Sequence, residues 1–344
     1  MQKIFAVILT YNRKDLLKRC MEAVYSQTRQ CDGVIVIDNA STDGTEQQLL
    51  ESAYPNLKVY VLSSNIGASG GFNAGFRLAY QNGADFIWVM DDDVIPNPDT
   101  LSCLLKADEK LQRKNINRAY LLSSAYTESG LVTNTPGLSL QENEIGYLSW
   151  PEMIEHGMVP VWRATFVSIL LPRSTLTKYG LPIASMFIWG EDSEYTLRVT
   201  RDNPGFLIGE SKVLHLRQEN GPINILSENN PGRMKYHKYF MRNKIFITRK
   251  YSLHYRQLIS EIYGVLRLLF KLLRKKHFHK AKVVLQGMIE SVFFFPEEES
   301  ADAPISSLKI KIHSFETDST VSDTVVGLNY SPSKNSALHS NGLH

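Results

Sequence analysis

Three consecutive carboxylates, Asp91-Asp92-Asp93, follow the apolar run Phe86-Ile87-Trp88-Val89-Met90. Adjacent carboxylates repel one another, and such a cluster persists most readily where a cation offsets the charge. Hard divalent ions such as Mn2+ or Mg2+ take oxygen ligands and keep positions open for phosphate oxygens, which suits a diphosphate. A solvated acidic turn in which Asp91 or Asp93 caps a helix is the plainer reading of the same residues.

A second acidic group, Glu191-Asp192-Ser193-Glu194, follows Trp189-Gly190. One of its carboxylates could take the proton of an attacking hydroxyl, a contribution of about 10²–10⁴-fold to rate. Acids in a first helical turn are also favoured by the helix dipole, and Glu194 can pair with Arg198 at i,i+4. His215, between Leu214 and Leu216, is either a packed histidine or a neutral imidazole completing a metal site. The segment Asn65-Ile66-Gly67-Ala68-Ser69-Gly70-Gly71-Phe72-Asn73-Ala74-Gly75 lies where free backbone amides can bind an anion, or where glycines serve a tight turn. Its spacing is not GxGxxG and it follows the third strand, so it is not a dinucleotide fingerprint.

These groups need a scaffold. Apolar runs at Ile4–Thr10, Val34–Asp38, Val59–Leu62 and Phe86–Met90 alternate with helical patterns at Lys14–Gln27, Thr45–Ser52 and Phe72–Gln81. Continuous apolar runs separated by helices predict an α/β domain with a mainly parallel sheet. The polar loops after each strand then gather at one sheet edge and form the ligand crevice. Strand-like pieces at Ala119–Ala125 and Ala164–Leu171 continue the domain, and Lys235–Lys250 and Leu258–Phe295 read as helices. From Glu297 onward the chain is polar and aperiodic, which predicts a flexible tail.

Composition narrows the class. A charge of +3 over 344 residues gives no global case for nucleic acid, and 43% apolar residues suffice for a core. Three cysteines without a CxxC pair suggest neither a disulfide framework nor a zinc ribbon, and fit a reducing compartment. The apolar run Ile4–Leu9 is too short for a signal peptide, and no run reaches the roughly 18 residues of a membrane span. A cytoplasmic, non-spanning protein is expected.

Taken in order, Thr10-Tyr11-Asn12-Arg13, the stretch Asp38 to Gly44, the stretch Asn65 to Phe76, Met90-Asp91-Asp92-Asp93 and Trp189 to Tyr195 resemble glycosyltransferase family 2. This is the inverting GT-A group, and the likeness is to its galactofuranosyltransferase-like and rhamnosyltransferase-like branches. It covers Ile4 to His215 and weakens toward Lys250. The resemblance implies an α/β GT-A fold, a mainly parallel nucleotide-binding sheet flanked by helices, with a C-terminal helical extension. A catalytic domain at 1–250, a basic helical region at 251–296 and a tail at 297–344 follow.

The resemblance also implies roles. Asp38 would lie near the base of a nucleotide-sugar donor, and Thr10 and Arg13 near its ribose or phosphates. Asn12, Asn65, Gly70, Gly71 and Asn73 would make the remaining donor contacts, with Asp92 left for the donor sugar or a structural hydrogen bond. Asp91, Asp93 and His215 would hold Mn2+ or Mg2+. Glu191 corresponds by position to the base, but those enzymes have Trp-Asp-Asp where this chain has Trp189-Gly190-Glu191-Asp192, so Asp192 stays open. The implied reaction moves galactofuranose from UDP-galactofuranose, or rhamnose from dTDP-rhamnose, to a glycan acceptor in cell-surface polysaccharide synthesis. The Ala68-Ser69-Gly70-Gly71-Phe72 form is closer to the galactofuranosyl branch.

Two other classes are disfavoured. A sugar-nucleotide pyrophosphorylase needs a glycine-rich basic loop after the first strand, which Thr10 to Lys14 lacks. A carbohydrate-binding protein without activity needs neither acidic group. Finally, Arg267, Lys271, Arg274, Lys275, Lys276, Lys280 and Lys282 interleave with Leu266, Leu268, Leu269, Phe270, Leu272 and Leu273. Such stretches lie on anionic membranes, which suits a lipid-linked acceptor and a position on the inner face of the cell membrane. The other reading is a helix packed on the catalytic domain with a solvated basic face.

Overall fold

The computed structural model describes residues 2–216, 223–252 and 254–317. Strands β1 (Ile4–Thr10), β2 (Gly33–Asp38), β3 (Leu57–Leu62) and β4 (Phe86–Asp91) alternate with helices α1 (Lys14–Tyr25), α2 (Thr45–Leu50) and α3 (Gly67–Gln81). β1 pairs in parallel with β2 on one side and β4 on the other, and β3 lies beyond β2. The chain order therefore reverses at β1, the switch point at which a crevice opens past the strand ends. Thr10, Asp38 and Asp91, the last residues of β1, β2 and β4, meet there.

Every residue of β1 is buried. Ile4, Ala6 and Ile8 face Leu17 and Met21 of α1, while Phe5, Val7 and Leu9 face Phe72 and Phe76 of α3. Burial of both faces is why the strand reads as an unbroken apolar run.

The second half adds β5 (Val94–Pro96), α4 (Thr100–Arg113), β6 (Leu121–Tyr126), β7 (Val132–Thr133), β8 (Gly137–Leu138), β9 (Met158–Arg163), β10 (Ile169–Pro172), α5 (Arg173–Tyr179), α6 (Glu191–Val199) and β11 (Gly205–His215). β10 runs antiparallel between β4 and β6, and β11 runs parallel to β6. The last pair of β11 with β5 is His215 opposite Val94, which delivers the imidazole to the residue next to Asp93. Most of β11 escapes the sequence pattern because a register shift between Ile208 and Lys212 breaks its alternation.

Helices α7 (Pro231–Met234), α8 (His237–Tyr251), α9 (Tyr255–Arg274) and α10 (Phe278–Val292) follow. One apolar cluster joins Ile225, Met241, Ile245, Val265, Leu272 and Val284. The helical unit thus begins by Ile225, ahead of the expected boundary at 250, because α8 packs with α9 and α10. Among the described residues no helix is long and apolar enough to cross a membrane.

The expectation of a flexible tail fails for 297–317. Strand β12 (Ile312–Thr317) pairs antiparallel with β3, with Phe315 opposite Val59 and buried. Glu299 meets the fully buried Arg77 at 2.9 Å. An edge strand needs only one apolar face, and that is too little periodicity to find in sequence. The rest of the expected tail, 318–344, lies outside the described residues.

Candidate active site

Asp91, Asp93 and His215 each turn one ligand atom toward a common point, with these atoms within 4.8 Å of one another. His215 Nε2 lies 3.2 Å from Asp93 Oδ1, and the other ring nitrogen, Nδ1, is 2.8 Å from Asn134 Oδ1. Asp93 Oδ1 is buried without a hydrogen bond of proper geometry. Burial, and next the charges of Asp93 and Asp92, push the Asp91 carboxyl well up. Burial acts on Asp93 too, but His215 and Arg13 outweigh it and hold that carboxyl below the ordinary aspartate range.

Asp92 takes the structural option. Its Oδ2 accepts from Thr10 Oγ1 at 2.7 Å and its Oδ1 from Arg13 at 3.1 Å, and the same Arg13 nitrogen reaches Asp93 Oδ2 at 3.0 Å. Burial, opposed by Arg13, leaves Asp92 pushed up to about 6. The Thr10 hydroxyl is therefore turned to the triplet. Arg13 is partly exposed and braces the triplet from the crevice side.

Glu191 and Asp192 open α6. Glu191 is buried, its Oε2 has no hydrogen-bond partner, and burial together with the Asp192 charge raises it to about 8. The Glu191 charge also raises Asp91, after burial and the nearer aspartates. Asp192 is half-buried and also raised, with its Oδ1 on the Ser193 amide. Glu194 is absorbed by structure: it is fully buried and bonds Arg198 at 3.1 Å and Lys250 at 3.0 Å.

The donor-side expectations divide. Asp38 is fully buried, with Oδ1 accepting from the Ser41 amide and Oδ2 without a hydrogen-bond partner. Asn12 is exposed, and its Oδ1 accepts from the Thr42 amide at 2.7 Å, tying the loop after β1 to that after β2. Asn65 accepts from the Gly67 amide at 2.8 Å and lines a cleft of about 690 Å³ with Tyr11, Phe187, Lys235, Tyr239 and Lys282.

In the glycine-rich segment α3 starts at Gly67, and three amides around that start have protein partners. Ile66 donates to Asn39 Oδ1, Gly67 to Asn65 Oδ1, and Ser69 to the Phe187 carbonyl. Gly67 has φ of 78°, and a Cβ there would sit 2.1 Å from that carbonyl oxygen. Gly70 and Gly71 are buried inside the helix, and a Cβ on Gly71 would meet Leu9 at 2.3 Å. Asn73 is fully buried, donating to the Pro182 carbonyl at 2.7 Å and to Glu299 at 3.0 Å. Gly71 thus lets α3 close on β1, and Asn73 ties the helix to the segments at Pro182 and Glu299.

Asn134 behind His215 has no sequence signal, since it acts across a fold contact rather than a local spacing; Asn39, inside the Asp38 to Gly44 stretch, carries no sign there of its bonds to Ile66 and Gly67.

Residues 5–116 match the model of glycosyl transferase family 2. Over 213 residues the chain is 28% identical to the galactofuranosyltransferase GlfT1 of Mycobacterium tuberculosis, covering 60% of this chain and 67% of the relative. Its counterpart in Mycolicibacterium smegmatis is 26% identical over 220 residues, 59% and 67% of the two chains. Among solved structures, GalNAc-T7 with UDP, GalNAc and Mn2+ superposes with a TM-score of 0.52 at 12% identity, over 72% of this chain. This chain covers 48% of that structure, and the likeness concerns the fold alone. The strand order around β1 and the acidic triplet at the end of β4 agree with that match: the chain has the GT-A fold, and over residues 5–116 it is similar to glycosyl transferase family 2.

Proposed function

We propose that the chain transfers galactofuranose from UDP-galactofuranose, with inversion, to a hydroxyl of a glycan acceptor during cell-surface polysaccharide synthesis. The observation that carries this is the convergence of Asp91, Asp93 and His215 at the switch point, with the buried Glu191, whose Oε2 has no hydrogen-bond partner, close enough for its charge to raise Asp91. Similarity to two galactofuranosyltransferases favours that sugar over rhamnose.

The residues present fit a hard divalent ion, Mn2+ or Mg2+. Two carboxylates and one imidazole form an oxygen and nitrogen donor set, the buried Asp93 Oδ1 lacks a good hydrogen bond, and Asn134 occupies the ring nitrogen that faces away. When bound, such an ion neutralises charge on the departing nucleoside diphosphate. Thr10 and Arg13 hold Asp92, and Arg13 also steadies Asp93, so the carboxylates are fixed before a donor arrives. Asp38 offers its free Oδ2 to an N–H of the base. Glu191 accepts the proton of the acceptor hydroxyl, with Asp192 beside it as the alternative. One base and a single displacement give inversion at the anomeric carbon.

Turnover or hydrolysis followed by mass spectrometry with Mn2+, comparing UDP-galactofuranose with dTDP-rhamnose, tests the donor. Preference for dTDP-rhamnose overturns the sugar, and inertness to both overturns the reading. Glu191→Gln should bind donor and fail in transfer, whereas near-normal turnover removes Glu191 from the role.

The acceptor in this reading is lipid-linked and the protein sits on the inner face of the membrane. Helix α9 supports this placement. Tyr255, Ile259, Tyr263, Leu266, Phe270 and Leu273 share one face and are 45–72% exposed, while Val265 and Leu272 on another face are buried. Arg256, Arg267 and Arg274 lie along one edge of the open face. An apolar arc with a basic margin suits an anionic bilayer surface.

A further inference from the structure

The carboxylate proposed as base hangs from a backbone that would not hold its shape unaided. Phe187 has φ of 68° and Trp189 of 61°, and Gly190 follows at 123°. Non-glycine residues in the left-handed region are strained and persist only where the surroundings over-determine them. Two such residues within four positions of Glu191 call for a clamp.

The clamp is supplied by α8. Asn243 is fully buried, and its Nδ2 donates to the carbonyls of Met186 at 2.9 Å, Ile188 at 3.1 Å and Trp189 at 3.0 Å. Two N–H hydrogens thus serve three carbonyls, and Oδ1 accepts from Arg242 Nε at 3.0 Å, which fixes the orientation of the amide. Arg242 adds bonds to the Ser185 and Met186 carbonyls, each at 2.9 Å. Phe187 stacks on Tyr239 with centroids 4.7 Å apart, and the Trp189 ring meets His237 at 5.0 Å. A Cβ on Gly190 would come within 3.2 Å of Asn243 Cβ, so loop and helix already touch.

We propose that Asn243 is the positioning residue for the base, its carboxamide fixing the 186–190 loop and through it the direction of Glu191. This rests on Glu191 being the base. It gives the helical unit, which lies outside the matched residues 5–116, a part in the transfer step. Because the triplet and Asp38 hang from other strands, loosening this loop should touch the chemical step and spare donor binding.

The test uses the full chain with Asn243→Ala and Asn243→Ser, measuring melting temperature, UDP affinity by calorimetry, donor KM and kcat. Asn243→Ala should lower kcat about 10²-fold, the scale of a small misplacement of a reacting group, with UDP affinity and donor KM within about twofold. Asn243→Ser, whose hydroxyl still serves one carbonyl, should recover part of kcat. A kcat within about twofold of wild type in Asn243→Ala, or a kcat that falls in step with UDP affinity, overturns the proposal. If Asn243→Ala does not fold, Asn243→Ser decides: an undiminished kcat overturns the proposal, and a reduced kcat at wild-type UDP affinity supports it. Glu191→Gln measured alongside separates the two readings. Normal turnover there removes the base itself, while an inactive Glu191→Gln with a fully active Asn243→Ala removes only the clamp.

Discussion

Asn134 Oδ1 and His215 Nδ1 are 2.8 Å apart across 81 positions of sequence, which leaves the other nitrogen of His215 turned to Asp93. A hydrogen bond to the outer nitrogen fixes both the tautomer and the ring of a metal-binding histidine. Asn134→Ala should therefore weaken Mn2+ binding by about 10–100-fold while leaving the fold intact. Titration calorimetry or paramagnetic resonance of Mn2+ checks this, and unchanged affinity would separate Asn134 from the site.

Removal of the metal should be as damaging as loss of a ligand. Asp93→Ala is expected to abolish both Mn2+-dependent turnover and donor binding, and EDTA should do the same to the wild-type chain. Full activity in EDTA would dismiss the ion.

The pH dependence has a definite sign. A base works in its ionised form, and burial together with Asp192 raises Glu191 to about 8. Its ionised fraction therefore grows as pH climbs through 8, and kcat should rise about tenfold per pH unit below that point and level off above it. A profile of kcat from pH 6 to 10 at saturating donor checks this. A flat profile would mean that neither Glu191 nor the adjacent Asp192 limits the rate as a base.

Gly67→Ala combines a φ of 78° with a Cβ 2.1 Å from the Phe187 carbonyl oxygen. Backbone cannot yield as a side-chain tip can, so we expect a stability loss of about 2 kcal/mol or more in denaturant unfolding. The loop displaced is the one that carries Glu191, so kcat should fall as well. A variant as stable and as active as wild type would show that the loop gives way freely.

For membrane contact, the double change Tyr263→Glu and Phe270→Glu places charge in the exposed arc of α9 without touching Val265 or Leu272. Flotation with vesicles containing about one-third phosphatidylglycerol should recover the wild-type chain and lose this variant, and neutral vesicles should bind both weakly. Equal recovery of the two proteins would dismiss the arc as the contact.

The residues of the first half were legible because their physics is local. β1 to β4 are buried on both faces, so their apolar runs and the polar loops behind them stand out in sequence, and with them Asp38, Asp91 and Asp93. In the glycine-rich segment a glycine that admits a close neighbour and one that frees an amide look the same without coordinates. Only the Phe187 carbonyl and Leu9, brought against Gly67 and Gly71 by the fold, separate the two.

By itself, the sequence determined the α/β class, the family likeness and the acids at the strand ends, since strand burial and turn chemistry are written within ten or so neighbouring residues. Tertiary structure alone decided how His215, already named by the family likeness, reaches Asp91 and Asp93 through the β11–β5 register, that Asp92 is held by Thr10 and Arg13, and that Asn243 grips the loop before Glu191. Those contacts join distant segments, and a hydrogen bond or a shared ligand point between them depends on packing that no local pattern encodes.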